Sequence, residues 1–391
     1  MPTIRQLIGV IRLKYRELGG LDWKPSALGF GAMRLPTNDD EPGDIDEKRA
    51  TEMIRYAIDE GVNYVDTAWP YHDGNSEEFL AGALKDGYRE KIKLATKMPS
   101  WKLEDPSDLD EYLDKQLSRL DVDRIDFYLL HALNRKYWEK YKELGVLEWL
   151  EKVQAEGKIG QPGFSFHDDL KTFKNIVDAY DWTFCQIQYN YLDRDFQAGM
   201  EGLRYANSQG LGVVIMEPLR GGKLAAEPPE EIERVWDRSN QNRGPVSWAL
   251  NWLWTQPEVS LVLSGMSTLD QVRENVDLAG KSAIGKLSSK ELDLMEEAAD
   301  IYRDLSPVRC TGCNYCMPCP NGVEIPKNFQ LYNEAEVYGK YEENRETYME
   351  LLEEDQRASA CIACGQCEEA CPQNLEIIDL LAETASYFER N

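Results

Sequence analysis

Short runs of apolar, β-branched and aromatic residues recur along the first three-quarters of the chain. They alternate with longer stretches whose apolar positions fall at helical spacing. The runs at 27–35, 63–68, 92–97, 125–131, 159–166, 184–190, 212–218 and 260–266 predict eight strands. The segments 47–60, 107–120, 136–156, 199–209 and 245–255 predict helices between them. Eight strand–helix units in about 250 residues predict an α/β fold, a parallel (β/α)8 barrel. A doubly wound sheet is the competing layout. It carries G-x-G-x-x-G after its first strand, which Gly29-Phe30-Gly31-Ala32-Met33 does not supply. Residues 15–24, with Gly19-Gly20, predict a hairpin before the barrel. The polar stretch 225–242, with Pro228-Pro229, predicts a long loop after strand seven.

Cysteine usage divides the chain. Of nine cysteines, Cys185 alone lies in residues 1–309 and the other eight lie in 310–391. Ser306-Pro307 marks a turn, so the expected domains are a barrel over 1–305 and a mostly helical, ferredoxin-like region over 306–391. The first run is Cys310-x2-Cys313-x2-Cys316-x2-Cys319-Pro320. The second is Cys361-x2-Cys364-x2-Cys367-x3-Cys371-Pro372, which has the bacterial ferredoxin spacing; the first run is one residue shorter before its last cysteine. Three cysteines in step wrap one corner of an iron–sulfide cube, and the fourth, before proline, reaches to the other cluster. Cys310, Cys313, Cys316 and Cys371 are then the expected ligands of one 4Fe-4S cluster. Cys361, Cys364, Cys367 and Cys319 are those of a second. Two tetrahedral zinc sites are the alternative, but they do not call for a third cysteine in step or a closing Cys-Pro. Residues 328–354, between the runs, are acidic and helical in pattern.

The balance of charge narrows the partners. A net charge of −26 and a pI of about 4.6 argue against nucleic acid and against anionic membranes, both of which need basic patches. The apolar residues near the start, Leu7, Ile8, Val10 and Ile11, are broken by Gly9 and show no cleavage pattern, and no stretch reaches spanning length. The expectation is a cytoplasmic protein, where metal-binding thiols suit a reducing compartment.

The barrel has its own constellation. Asp66, Lys97 and His131 end strands two, three and four, and Tyr71 follows Asp66 closely. Strand ends meet at one mouth of a barrel, so the four converge. A free tyrosine has a pKa of about 10, and a neighbouring ammonium lowers it. Asp66 can hold that lysine, and the histidine can orient a carbonyl oxygen, so the group suits proton donation to a developing alkoxide.

These residues, in Asn63-Tyr64-Val65-Asp66-Thr67-Ala68…Tyr71, then Lys97, then His131, resemble the tetrad of the aldo–keto reductases. The likeness continues through Gly163-Phe164-Ser165, Cys185-Gln186-Ile187-Gln188-Tyr189-Asn190 and Met216-Glu217-Pro218-Leu219-Arg220-Gly221-Gly222. It ends at Gly265-x-Ser267-x3-Gln271-x2-Glu274-Asn275. With its tail, the chain resembles the bacterial and archaeal members that carry a C-terminal ferredoxin domain. The resemblance implies hydride transfer between NADP(H) or NAD(H) and a small-molecule carbonyl or alcohol. Tyr71 would be the general acid, Lys97 its tuner, Asp66 the partner of Lys97 and His131 the carbonyl orienter. Ser165 and Gln186 would grip the carboxamide, and Leu219 and Gly221 would bind pyrophosphate with Lys223 as a nearby cation. Met33, Met216, Glu217 and Pro218 complete the expected cofactor wall, with Gly265, Ser267, Gln271, Glu274 and Asn275. Four positions depart from the common pattern. Met216 replaces an aromatic, Gly265 and Gln271 replace a basic pair, and Phe166 replaces an asparagine. A flavin has a motive, since clusters pass single electrons and hydride carries two. No flavin motif is visible, so nicotinamide is the first reading. A redox partner such as ferredoxin or flavodoxin is the implied protein partner. The alternative function is a redox-sensing or electron-transfer protein whose barrel binds nucleotide or flavin without carbonyl reduction as its main role.

Overall fold

The computed structural model describes residues 13–39, 41, 43–310, 316–371 and 374–390. The strands are β1 (Leu28–Gly31), β2 (Tyr64–Asp66), β3 (Lys93–Met98), β4 (Ile125–Leu133), β5 (Ile159–Phe166), β6 (Phe184–Gln188), β7 (Gly212–Met216) and β8 (Leu261–Gly265). They close a parallel barrel in sequence order. Leu28 pairs with Val262 and Gly31 with Gly265, which seals β1 to β8. The helices are α1 (Glu47–Asp59), α2 (Ser76–Ala83), α3 (Ser107–Leu120), α4 (Arg135–Glu143), α5 (Val146–Ala155), α6 (Leu170–Val177), α7 (Gly199–Ser208), α8 (Glu230–Asp237), α9 (Pro245–Thr255) and α10 (Leu269–Gly280). They continue as α11 (Ser289–Leu305), α12 (Ile325–Tyr338), α13 (Tyr341–Leu351), α14 (Gln366–Ala370) and α15 (Ile377–Phe388).

By packing, the chain divides into two compact units, Met1–Ala225 with Arg243–Ser288, and Ala226–Asn242 with Ser289–Asn391. In the first, the barrel interior is filled by Leu18, Tyr64, Phe127, Leu129, Phe184, Val214 and Leu261, with Trp23 packed against them. The entry segment is one antiparallel bridge, Tyr15 to Ser26, where a hairpin is expected. Its Leu18 is fully buried, worth roughly 1.5–3 kcal/mol of transfer energy. Gly212 opens β7 because a Cβ there would lie 2.4 Å from the Leu18 side chain.

Two sequence expectations change. The helix over 136–156 is two helices, because Gly145 turns left-handed at φ 71° and restarts the chain as α5. The polar stretch after β7 holds α8, whose Ile232, Val235 and Trp236 bury one face. Within the second unit α8 and α11 are joined by the Arg238–Glu297 ion pair and by Lys290 Nζ donating to the Arg238 carbonyl at 2.9 Å. The packing break therefore falls at Ser288–Ser289, whereas cysteine content sets it at Leu305–Ser306.

The second unit packs Val308, Val323, Ile325, Phe329, Ala358, Ile377 and Leu381 into one apolar cluster. A second cluster joins Leu331, Ala335, Tyr348, Leu352 and Phe388. No helix among the described residues is long and apolar enough to cross a membrane.

Candidate functional site

The ends of β2, β3 and β4 carry the candidate chemistry. Lys97 is 1% exposed. Its Nζ donates to Asp66 Oδ1 at 2.5 Å, to the Thr67 carbonyl at 2.8 Å and to Tyr71 Oη at 3.3 Å. Three donors therefore meet three acceptors. Tyr71 opens a short 3-10 turn in which His72, Asp73 and Gly74 all take positive φ. That sharp turn brings the phenol back over the lysine. His131 sits where β4 bulges, and its ring centroid is 6.3 Å from Tyr71 and 5.2 Å from Trp101. Ser100 donates to the His131 carbonyl, and the Ala132 amide donates to Ser165 Oγ at 2.7 Å, so the bulge is tied on both sides.

Electrostatics sharpens the expected roles. Burial pushes the Tyr71 phenol above its ordinary pKa, with Lys97 pulling it down and Asp66 pushing it further up. The net direction reverses the one expected from Lys97 alone: Tyr71 is held protonated. Burial pushes the Lys97 ammonium down, but Asp66 and Tyr71 outweigh it, and its pKa rises. Burial raises the Asp66 carboxyl against the pull of Lys97. Burial, then Lys97 and His167, drive His131 well below its usual value, so it is neutral. The His167 contribution places two of the three histidines within electrostatic reach of each other, which their sequence spacing does not show.

Beside the tetrad lies a cavity of about 200 Å³. Its wall includes Asp66 and Tyr71 together with Met33, Gln186, Met216, Glu217, Pro218, Leu219, Gly221, Gly265, Ser267, Gln271, Glu274 and Asn275. Ser165 and Lys223, expected at the same site, are not in that wall; Ser165 is buried at the end of β5 and Lys223 is half-buried in the turn after β7. Gln271, Glu274 and Asn275 share one face of α10, whose N-cap Thr268 accepts from the Gln271 amide. After β7 the backbone turns left-handed at Glu217, Arg220, Gly221 and Gly222. The turn's own hydrogen bonds take the amides of Arg220, Gly222 and Leu224. A run of this kind makes a concave nest suited to an anion.

Sequence reasoning missed Arg34. Its stem fills the space beside Gly265, where a Cβ would touch three of its carbons at 3.3 Å. Its guanidinium lies 3.6 Å from Glu217 on the cavity wall. The signal was a cation just past β1, which a comparison of matched positions does not pick out. Phe166, at the asparagine position, is buried against Phe173 at 5.0 Å.

A family profile described as the aldo/keto reductase family matches residues 27–300. The chain belongs to the aldo/keto reductase family. A 4Fe-4S dicluster domain profile matches residues 309–376. Similar family proteins include L-galactose dehydrogenase of Arabidopsis thaliana, 28% identical over 325 residues, 76% of this chain and 96% of that protein. Another is the NADH-specific methylglyoxal reductase of Escherichia coli, 25% identical over 335 residues, 74% of this chain and 99% of that protein. Among solved structures, the holo form of aldo-keto reductase AKR11C1 from Bacillus halodurans is 28% identical. It aligns with a TM-score of 0.62 over 73% of this chain and 96% of its own. The family's members are oxidoreductases, and the dicluster domain marks the tail as an iron–sulfur region.

In that region Cys310, Cys316, Cys319, Cys361, Cys367 and Cys371 all pack on one apolar cluster, so both runs meet there. Cys364 is exposed, and Cys313 lies outside the described residues. No disulfide forms among the described cysteines. Among the described residues, no three His, Cys, Asp or Glu side chains converge as a metal-ligand group. Ala363 and Gly365 take positive φ inside the second run, and the Ala363 amide donates to Cys361 Sγ at 3.4 Å. Thiols on an apolar bed with amides turned towards sulfur fit an iron–sulfur cluster by donor chemistry.

Proposed function

We propose that the barrel transfers hydride between a nicotinamide cofactor and a small carbonyl or alcohol, and that the tail holds two 4Fe-4S clusters. The observation that carries the barrel reading is the Asp66–Lys97–Tyr71 chain at the mouth beside the cavity, with Asp66 and Lys97 buried and Tyr71 half-buried on the cavity wall. On this reading the division by chemistry, as distinct from the packing break at Ser288–Ser289, is a reductase region over 1–305 and a cluster region over 306–391.

The cavity suits a nicotinamide. Gln186 lies in its wall, and its buried Oε1 has no hydrogen-bond partner among the described residues, which matches the amide protons of a carboxamide. The nest at Leu219 and Gly221 suits the pyrophosphate, with Lys223 and Arg34 as nearby cations. A bound nicotinamide supplies or accepts the hydride; the chain does the rest. Tyr71 donates its proton to the carbonyl oxygen as charge develops there. Lys97 then stabilises the tyrosinate it leaves, an attraction of about 5 kcal/mol across 3.3 Å at an effective dielectric near 20. Asp66 keeps Lys97 charged and aimed. Neutral His131 presents a ring nitrogen to the same oxygen, and its Nδ1 is buried without a partner among the described residues.

In the tail, Cys310, Cys313, Cys316 and Cys371 would hold one cluster and Cys361, Cys364, Cys367 and Cys319 the other. They would store single electrons for exchange with a redox protein such as ferredoxin or flavodoxin. Titration of anaerobic protein with NADPH, NADH and FMN, followed by tryptophan quenching, tests the cofactor. Saturable quenching by a nicotinamide is expected; binding of FMN alone overturns the reading.

A further inference from the structure

One buried charge is not used by this chemistry. Glu77, on α2, is fully buried. Its Oε1 accepts from Thr96 Oγ1 and from Gln116 Nε2, each at 2.7 Å. The same Gln116 amide donates to the Lys97 carbonyl at 3.1 Å, and Tyr128 Oη fixes the carboxamide by donating to Gln116 Oε1 at 2.7 Å. Glu77 is thus bonded to the residue before Lys97 and, through Gln116, to the lysine's own backbone. Its other oxygen lies 3.2 Å from Arg119 Nη1, as an ion pair without hydrogen-bond alignment.

Arg119 reaches the other half of the site. Its guanidinium carbon lies 4.3 Å from the centroid of the Trp69 ring, two residues before Tyr71. Its Nη2 would lie 3.2 Å from a Cβ on Gly74, at the far end of the Tyr71 turn. Gln116 and Arg119, three apart on α3, therefore grip the lysine strand and the tyrosine turn from one helix face.

We propose that Glu77 and Arg119 are positioning residues whose ion pair sets the Tyr71–Lys97 separation and so the strength of Tyr71 as a proton donor. The proposal rests on the reading of the tetrad given above. Burial raises the Glu77 carboxyl, and Lys97 is among the charges that oppose the rise, so the two sites feel each other. A shift of about 1 Å in a reacting group costs roughly 100-fold in rate.

The test compares Arg119→Gln, Arg119→Lys, Glu77→Gln and Tyr71→Phe. Arg119→Gln should lower kcat for carbonyl reduction by roughly 10- to 100-fold with cofactor affinity and substrate KM unchanged. It should also move the alkaline rise of alcohol oxidation to higher pH, because Tyr71 loses the stabilisation from Lys97. Arg119→Lys, which keeps the charge, should recover part of both. Glu77→Gln removes the fully buried carboxylate and leaves Arg119, 17% exposed, with Glu78 at 3.8 Å, and it decides the matter if Arg119→Gln does not fold. Folded Arg119→Gln or Glu77→Gln protein with wild-type kcat and an unmoved pH profile overturns the proposal. If Tyr71→Phe also turns over normally, the tetrad reading fails with it; if Tyr71→Phe is inactive, only the positioning claim falls.

Discussion

Lys97→Met removes the ammonium while keeping most of the stem, and the structure sets what that should cost. The Asp66 carboxylate is 2% exposed, and its Oδ2 already has no hydrogen-bond partner among the described residues. Its Oδ1 depends on Lys97 at 2.5 Å. The variant leaves a buried carboxylate with neither oxygen paired, and breaking a buried ion pair in this way costs about 3–5 kcal/mol. At about 2–4 °C per kcal/mol for a domain of this size, the barrel should melt roughly 6–20 °C lower. Tryptophan fluorescence reads that transition, since nine of the ten tryptophans lie in the barrel unit and only Trp236 lies outside it. In the variant the Asp66 pKa is raised in the folded state, so the folded form binds the proton more tightly than the unfolded one. The deficit is therefore full only above that raised value and shrinks as pH falls through it towards the unfolded one. Lys97→Met combined with Asp66→Asn removes both charges and should regain at least about 2 kcal/mol over Lys97→Met. Both variants should be inactive. A loss under about 1 kcal/mol in Lys97→Met, or a double variant no more stable than the single, refutes the reasoning.

Two further outcomes are expected. Anaerobically purified protein should carry about eight irons and eight sulfides, and Cys371→Ser or Cys319→Ser about half of each; zinc without sulfide would remove the clusters. Carbonyl reduction should stay level from about pH 6.5 to 9.5, because His131 is held neutral and Tyr71 protonated, while alcohol oxidation climbs on the alkaline side. An acid limb near the ordinary histidine pKa would show that His131 titrates.

The barrel was legible because parallel strands buried on both faces read as continuous apolar runs, and all eight lie where those runs fall. Asp66, Lys97 and His131 were legible for a related reason: each ends such a run, and strand ends share one mouth. What escaped depends on burial and on distant partners. The sign of the Tyr71 shift turns on desolvation, which no spacing reports. Arg119 and Glu77 are 42 positions apart, and each alone reads as a solvated helix charge. The helix at 230–237 was hidden by its acidic face, although Ile232, Val235 and Trp236 carry the helical period. Arg34 shows how a departure at one position, Gly265, is filled by a side chain from the loop that follows the neighbouring strand β1.

The central claim is that Tyr71 is the proton donor of a nicotinamide-dependent carbonyl reduction. The most direct measurement mixes anaerobic wild-type and Tyr71→Phe protein, each loaded with reduced nicotinamide, with an excess of a reactive dicarbonyl, and follows cofactor oxidation. Wild type should oxidise its cofactor with alcohol formed in equal amount. Tyr71→Phe should bind the cofactor with the same affinity and oxidise it roughly 100-fold or more slowly. Oxidation by Tyr71→Phe at the wild-type rate would contradict the account.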